Sequence, residues 1–184
     1  MNMGMGLGNV MKLSDARTRM VSAENVYGKK GVGGMASLED KAEADVAAIG
    51  QDPCKAARAA ADLGQKWKVR PCIQIPQKST VTIMDTDGPG VIQHIWITAH
   101  RKFHRDLILR IYWEGSDVPS VEAPLGDFFG TAHGAAAPMY SAMITMQEGR
   151  GCNCYFPMPF SDRARVTITN GTGDHIDWFF YQID

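Results

Sequence analysis

Between residues 112 and 130 the chain mixes aromatic rings with carboxylates at short spacing: Tyr112, Trp113, Glu114, Asp117, Glu122, Asp127, Phe128 and Phe129. That mixture suits carbohydrate, because ring faces cover the apolar C–H patches of a sugar while carboxylates accept its hydroxyl protons. Asp127, set between Gly126 and two phenylalanines, is the strongest candidate of the group, since an acid in such company is not ordinary solvated surface. The competing reading makes Trp113, Phe128 and Phe129 core and the acids turn residues. Cleaving a glycosidic bond needs two opposed carboxyl groups. Glu24, Glu114 and Asp127 qualify for that by residue type alone.

Other chemistries find less support. His100 and His104 stand four apart but fall in a segment that reads as a turn between strands, so no metal site is expected. There is no G-x-S-x-G elbow for a serine nucleophile and no GKS or GKT phosphate loop. The Gly4, Gly6, Gly8 run has no preceding strand and no following helix at dinucleotide-binding spacing, and no cofactor is expected. Cys152-Asn153-Cys154 puts two sulfurs on one face of a strand, with no second pair to complete a zinc site. Cysteines at 54, 72, 152 and 154 are too few and too unevenly placed for a disulfide framework, so reduced, buried thiols are the expectation.

The elements that must position these residues change character near Trp67. Residues 1–66 form an N-terminal arm, with a glycine-rich loop around Gly28–Gly34 and an alanine-rich helical stretch over 37–64. Ser37 and Asp52-Pro53 supply helix starts there and Gly64 a stop. Residues 67–184 read as a train of strands: Val69 to Ile75, Ser79 to Met84, Val91 to Thr98, the alternating run Leu107 to Glu114, and Val166 to Thr169. Asn170-Gly171 is the strongest hairpin signal, joining that last strand to Ile176–Asp184. The outward face of the 107–114 strand, with Arg110, Tyr112 and Glu114, is a candidate cleft wall. The fold class is mainly β, an antiparallel jelly-roll sandwich behind an N-terminal helical arm. A final strand carrying Trp178, Phe179, Phe180 and Tyr181 is expected to pair or pack with a partner outside the chain.

Composition narrows the partners. With 184 residues and 45% hydrophobic content the chain can bury a substantial core. Nineteen basic against 20 acidic side chains give no footprint for nucleic acid or an anionic membrane. No stretch reaches the roughly 18 apolar residues of a membrane span, and the first residues lack a basic leader, so a cytoplasmic location is expected.

Several phrases in order resemble glycoside hydrolase family 172, formerly the DUF2961 domain. They are Ser22-Ala23-Glu24-Asn25, Gly88-Pro89-Gly90 leading to His94-Ile95-Trp96, Tyr112-Trp113-Glu114-Gly115, Pro124 to Gly130, Tyr155 to Phe160, and Tyr181-Gln182-Ile183-Asp184. The resemblance implies one half of a double jelly roll that assembles as trimers or hexamers. It implies a retaining mechanism, with two glutamates, on α-D-fructofuranosides or α-D-arabinofuranosides. Those glutamates lie in the second half of a longer chain, so none of the residues here is assigned as catalytic. The first-half contribution is a substrate wall of Glu24, Asn25, Trp96, Asp127, Phe128 and Phe129, completed by another segment or a second jelly-roll chain. The alternative is a non-catalytic jelly roll that binds carbohydrate or builds a shell.

Overall fold

The computed structural model describes residues 13, 15–37, 62–135 and 137–184. Most of the helical stretch expected over 37–64 lies outside the described residues. In chain order the strands are β1 (Val21–Ser22), β2 (Ile73–Ile75), β3 (Thr80–Asp87), β4 (Gly90–Ile92), β5 (Ile95–Thr98), β6 (Leu107–Trp113) and β7 (Val121–Pro124). After a single helical turn, α1 (Leu125–Phe128), come β8 (Met139–Tyr140), β9 (Ile144–Gln147), β10 (Gly151–Cys154), β11 (Met158–Phe160), β12 (Arg163–Asn170) and β13 (Ile176–Ile183). Every pairing among them is antiparallel. Among the described residues no helix is long and apolar enough to cross a membrane.

The larger sheet runs β1-β13-β5-β10-β9-β8, with β2 also on β13; the smaller runs β3-β12-β6-β7; and β4 pairs with β11 in a separate two-stranded ladder. Their apolar faces meet in a jelly-roll sandwich. The alternation in β6 has the expected consequence: Leu107, Leu109 and Ile111 are buried, while Ile108, Arg110 and Tyr112 point away from the core. Cross-strand register stacks Leu109 on Ile168 and Ile111 on Val166. Each such aliphatic side chain stabilises the sandwich by about 1.5–3 kcal/mol through the apolar area removed from water.

The corner where β3 passes into β4 and β11 into β12 depends on glycine. A Cβ on Gly88 would lie 2.4 Å from the Ser161 carbonyl oxygen, and one on Gly90 would lie 2.5 Å from the Phe160 ring. Only a residue without a side chain lets the two backbones approach this closely. Across the corner Gly88 N–H donates to the Asp162 carbonyl at 2.7 Å. Glu114 accepts from the backbone N–H groups of Ser161, Asp162 and Arg163 at 2.8, 2.6 and 3.3 Å.

Three expectations are corrected here. Asn170-Gly171 does not close a hairpin: β12 pairs with β3 and β6, whereas β13 pairs with β1, β2 and β5 in the other sheet. The dipeptide instead begins a crossover between sheets. Asn170 is fully buried, and its amide donates to the carbonyls of Ile75, Pro76 and Asp174. Its Oδ1 accepts from Thr172. A side chain already bound to five groups holds a bend, not a two-residue turn.

Nor does β13 need an outside strand to pair with. It pairs with β1, β2 and β5 within the chain, and Phe179, Tyr181 and Ile183 fill the core, while the opposite face leaves Trp178 exposed and Phe180 half-buried. The cysteines also divide. Cys152 and Cys154 are free and buried, and burial pushes the Cys152 thiol up to about 12. Cys72, contrary to the expectation of reduced thiols, is disulfide-bonded.

Candidate functional site

Antiparallel pairing puts directly opposed residues on one face of a sheet. On the inner face of the larger sheet the register lines up Tyr181, Ile97, Cys152, Met146 and Met139, which belong to the core or pack against it. One residue along each strand, the outer face carries Gln182, Trp96, Asn153, Thr145 and Tyr140 in a transverse row. Ser22 of β1 continues that row beyond Gln182. Within this row Ser22 and Asn153 are buried, Gln182, Trp96 and Thr145 are half-buried and Tyr140 is exposed, so the accessible part carries two aromatic rings and a few polar groups over an apolar reverse side.

At one end of this face His94 is held on three sides. Its Nε2 lies 3.1 Å from Asn153 Oδ1, its Nδ1 lies 3.4 Å from Asp184 Oδ2, and its ring stacks on Tyr155 with centroids 4.6 Å apart. The Asn153 amide donates to the Gly151 carbonyl, which orients its oxygen toward the histidine. Gln182 donates to Asp184 at 3.0 Å. Backbone bonds between His94 and Asp184 in both directions lock the ends of the two strands together. The result is a fixed array in which buried Asn153 holds the imidazole, while His94, Gln182 and Asp184 remain half-buried near Trp96.

At the opposite end the face opens into a cleft of about 530 Å³. Its lining includes Thr98 and Phe180 from the strands, with Trp178 standing 54% exposed.

The residues expected to form a substrate wall divide between two places. Trp96 lies on the outer row, half-buried. The Glu24–Asn25 turn follows β1, whose Ser22 is two strand spacings from Trp96, roughly 10 Å. In that turn Glu24 is buried and accepts from the Arg70 N–H at 2.7 Å. Asn25 is also buried, donating to the carbonyls of Met20 and Lys29 and accepting from the Lys29 N–H. Both side chains therefore shape the loop.

Asp127, Phe128 and Phe129 sit at α1, after the edge strand of the smaller sheet. Asp127 ion-pairs with Arg105 through Oδ2, while its Oδ1 is buried without a partner. Phe128 packs edge-on against Phe129, which is fully buried and so is core rather than ligand surface. Neighbouring His104 is buried with Nε2 unpartnered, and desolvation lowers its pKa, reinforced by His100 and opposed by a hydrogen bond with the Ala99 backbone. Glu114 is an exposed turn acid whose pKa is lowered by the backbone N–H groups of Ser161 and Asp162, with Arg163 adding to them.

The outward face of β6, expected as a cleft wall, is a ladder of polar pairs. Arg110 bonds Glu122 and Thr169, Arg163 bonds Asp85, and Arg165 lies 3.9 Å from the centroid of the Tyr112 ring. It borders a smaller hollow of about 340 Å³.

A family model described as GH172 domain-like matches residues 68–180. The chain belongs to the GH172 domain-like family. This establishes its relation to glycoside hydrolases, and no curated protein matches the chain. The matched span runs from β2 into β13 and so covers the whole smaller sheet and every strand of the larger one except β1 and the end of β13.

Sequence reasoning did not select His94, Asn153, Tyr155, Trp178, Phe180 or Gln182 of this GH172 domain as site residues. A signal for some of them was present. Phe180 and Gln182 share a parity opposite to Phe179, Tyr181 and Ile183, so period-two alternation alone divides the terminal strand into a core face and an outer face. The meeting of His94, Asn153 and Tyr155 depends on the pairing of β5 with β10, which no local pattern contains.

Proposed function

We propose that this GH172 domain is the first jelly-roll half of a glycoside hydrolase acting on α-D-fructofuranosides or α-D-arabinofuranosides by a retaining mechanism. The outer face of its larger sheet forms part of the substrate wall. The catalytic glutamates belong to a second jelly roll, supplied by a further segment or another chain. The observation that carries this reading is the use already made of the glutamates Glu24 and Glu114. One is buried and accepts a backbone N–H, the other accepts three, so each side chain holds a loop in place. Trp96 offers a ring for a sugar face, Gln182 and His94 offer polar contacts around it, and buried Asn153 orients the imidazole. Asp127, paired with Arg105 on α1 beside the smaller sheet, contributes from outside that face. The working assembly is a trimer or hexamer, or includes the second jelly-roll chain.

The same observation favours a second reading, a jelly roll that binds sugar or builds a shell without chemistry. Native mass measurement and furanosidase assays on the chain alone and on the completed assembly separate the two. The expected result is turnover only when the second jelly roll is present, with Trp96→Ala raising KM and Asp127→Asn lowering activity without abolishing it. Full turnover by the chain alone would refute the proposal. Sugar binding by a closed assembly that never turns over would select the second reading.

A further inference from the structure

The 530 Å³ cleft at the Trp178 end of the outer face has a composition unlike that of the Trp96 row. Three segments surround it: the short turn at Arg101–Phe103, the β9–β10 turn at Glu148–Arg150, and the start of β13 from His175 to Trp178. Its volume falls within the ~300–1,000 Å³ of small-ligand sites, enough for one or two sugar rings. Trp178 is 54% exposed although it lies on a strand whose alternate residues are core, so its ring presents a free apolar surface to the cleft.

The lining also has a sign. Arg101, Lys102 and Arg150 face it against the carboxylates of Glu148 and Asp177. Arg150 and Glu148 approach only to 3.4 Å and are 67% and 80% exposed, a pair that solvent screens and a ligand can re-pair. Lys102 turns to Asp174, also at high exposure. Arg101 has no carboxylate partner among the described residues, so its guanidinium fork is available for bidentate capture of a carboxylate. The turn carrying Glu148 and Arg150 is held by positive φ at Glu148 and Gly149, which fixes where both side chains leave the sheet.

We propose that this cleft is a subsite for a sugar residue bearing a carboxylate, a uronic acid, with its ring against Trp178 and its carboxylate paired by Arg101 and Arg150. The subsite rests on the reading of the chain as carbohydrate-active and deepens it: the furanoside handled along the Trp96 row would come from a glycan that also carries acidic residues. Stacking supplies affinity for any pyranose face, and the guanidinium groups supply selection for the acid.

The experiment is ligand-observed NMR with calorimetry on the full chain, using digalacturonate as the acidic probe and galactobiose as its neutral counterpart. Wild type is expected to bind the acidic probe about ten-fold more tightly than the neutral one. Trp178→Ala should lose both ligands, and Arg101→Gln should bring the two affinities together. Both positions are exposed, and circular dichroism on each variant checks the fold. If either variant unfolds, saturation-transfer contacts on wild type decide: transfer from the indole protons to the uronate supports the subsite, and its absence overturns it. Equal affinity for the two probes, no binding at millimolar concentration, or binding indifferent to both substitutions would each overturn it. A neutral arabinofuranoside titrated in parallel keeps the two ideas distinct, since its binding at the Trp96 row should survive Trp178→Ala even where the uronate subsite fails.

Discussion

Asn170→Ala should be among the most damaging single substitutions in this domain. The side chain is fully buried and supplies a donor to the carbonyls of Ile75, Pro76 and Asp174 at 3.2, 3.1 and 2.9 Å. It also accepts from the N–H and hydroxyl of Thr172 at 3.0 and 2.7 Å. Alanine removes every one of these bonds. The Pro76 and Asp174 contacts are partly buried, so those groups regain water, whereas the bond to Ile75 lies wholly inside the protein. One desolvated group left without its donor costs about 1–3 kcal/mol, and the partial losses bring the expected total to about 2–4 kcal/mol. Against the 5–15 kcal/mol typical of a folded domain, that shift is easily measured. Urea unfolding followed by tryptophan fluorescence would show a lower midpoint at an unchanged slope. Asn170→Asp should be worse, because it replaces the donor with a carboxylate facing three carbonyl oxygens. A loss under about 0.5 kcal/mol for the alanine variant would refute the claim that this residue holds the crossover that brings β13 into the larger sheet.

Three further outcomes follow from particular contacts. Gly88→Ala should cost about 1–3 kcal/mol, since its new Cβ meets backbone at Ser161 that cannot move aside as a side chain could; thermal melting checks it. Stability should fall as pH drops below 6.5. There the unfolded chain protonates His104 while burial keeps the folded residue neutral, so the contribution is whole above 6.5 and is lost toward the lowered folded value. Glu114 adds a second loss beginning below 4.5, and Tm measured from pH 7 to 3 with His104→Asn as control should show the first slope flattened in the variant and the second retained. Iodoacetamide should leave Cys152 and Cys154 unmodified in the native protein and alkylate both after denaturation without reductant, with Cys72 labelled only once reduced. Peptide mass mapping reads all three positions.

Much of the sandwich is legible along the chain because a strand writes its two faces into alternate residues. Leu107, Leu109 and Ile111 identify the core side of β6 without any knowledge of its neighbours, and the same parity separates Phe179, Tyr181 and Ile183 from Phe180 and Gln182. The ordered motifs, taken jointly, carried the family as well. Register and sheet membership are different in kind, because they depend on pairing between segments far apart. Asn170-Gly171 has the local chemistry of a hairpin, yet buried carbonyls from β2 and its following loop claim the asparagine and send the chain into the other sheet. That crossover puts Gln182 beside Trp96 and Trp178 at the mouth of a cleft. Glu24 and Glu114 look alike as residue types, and both look available. Only the tertiary structure decides that each is bound to backbone N–H groups 46 or more positions away, because a carboxylate's freedom depends on which donors the fold brings to it.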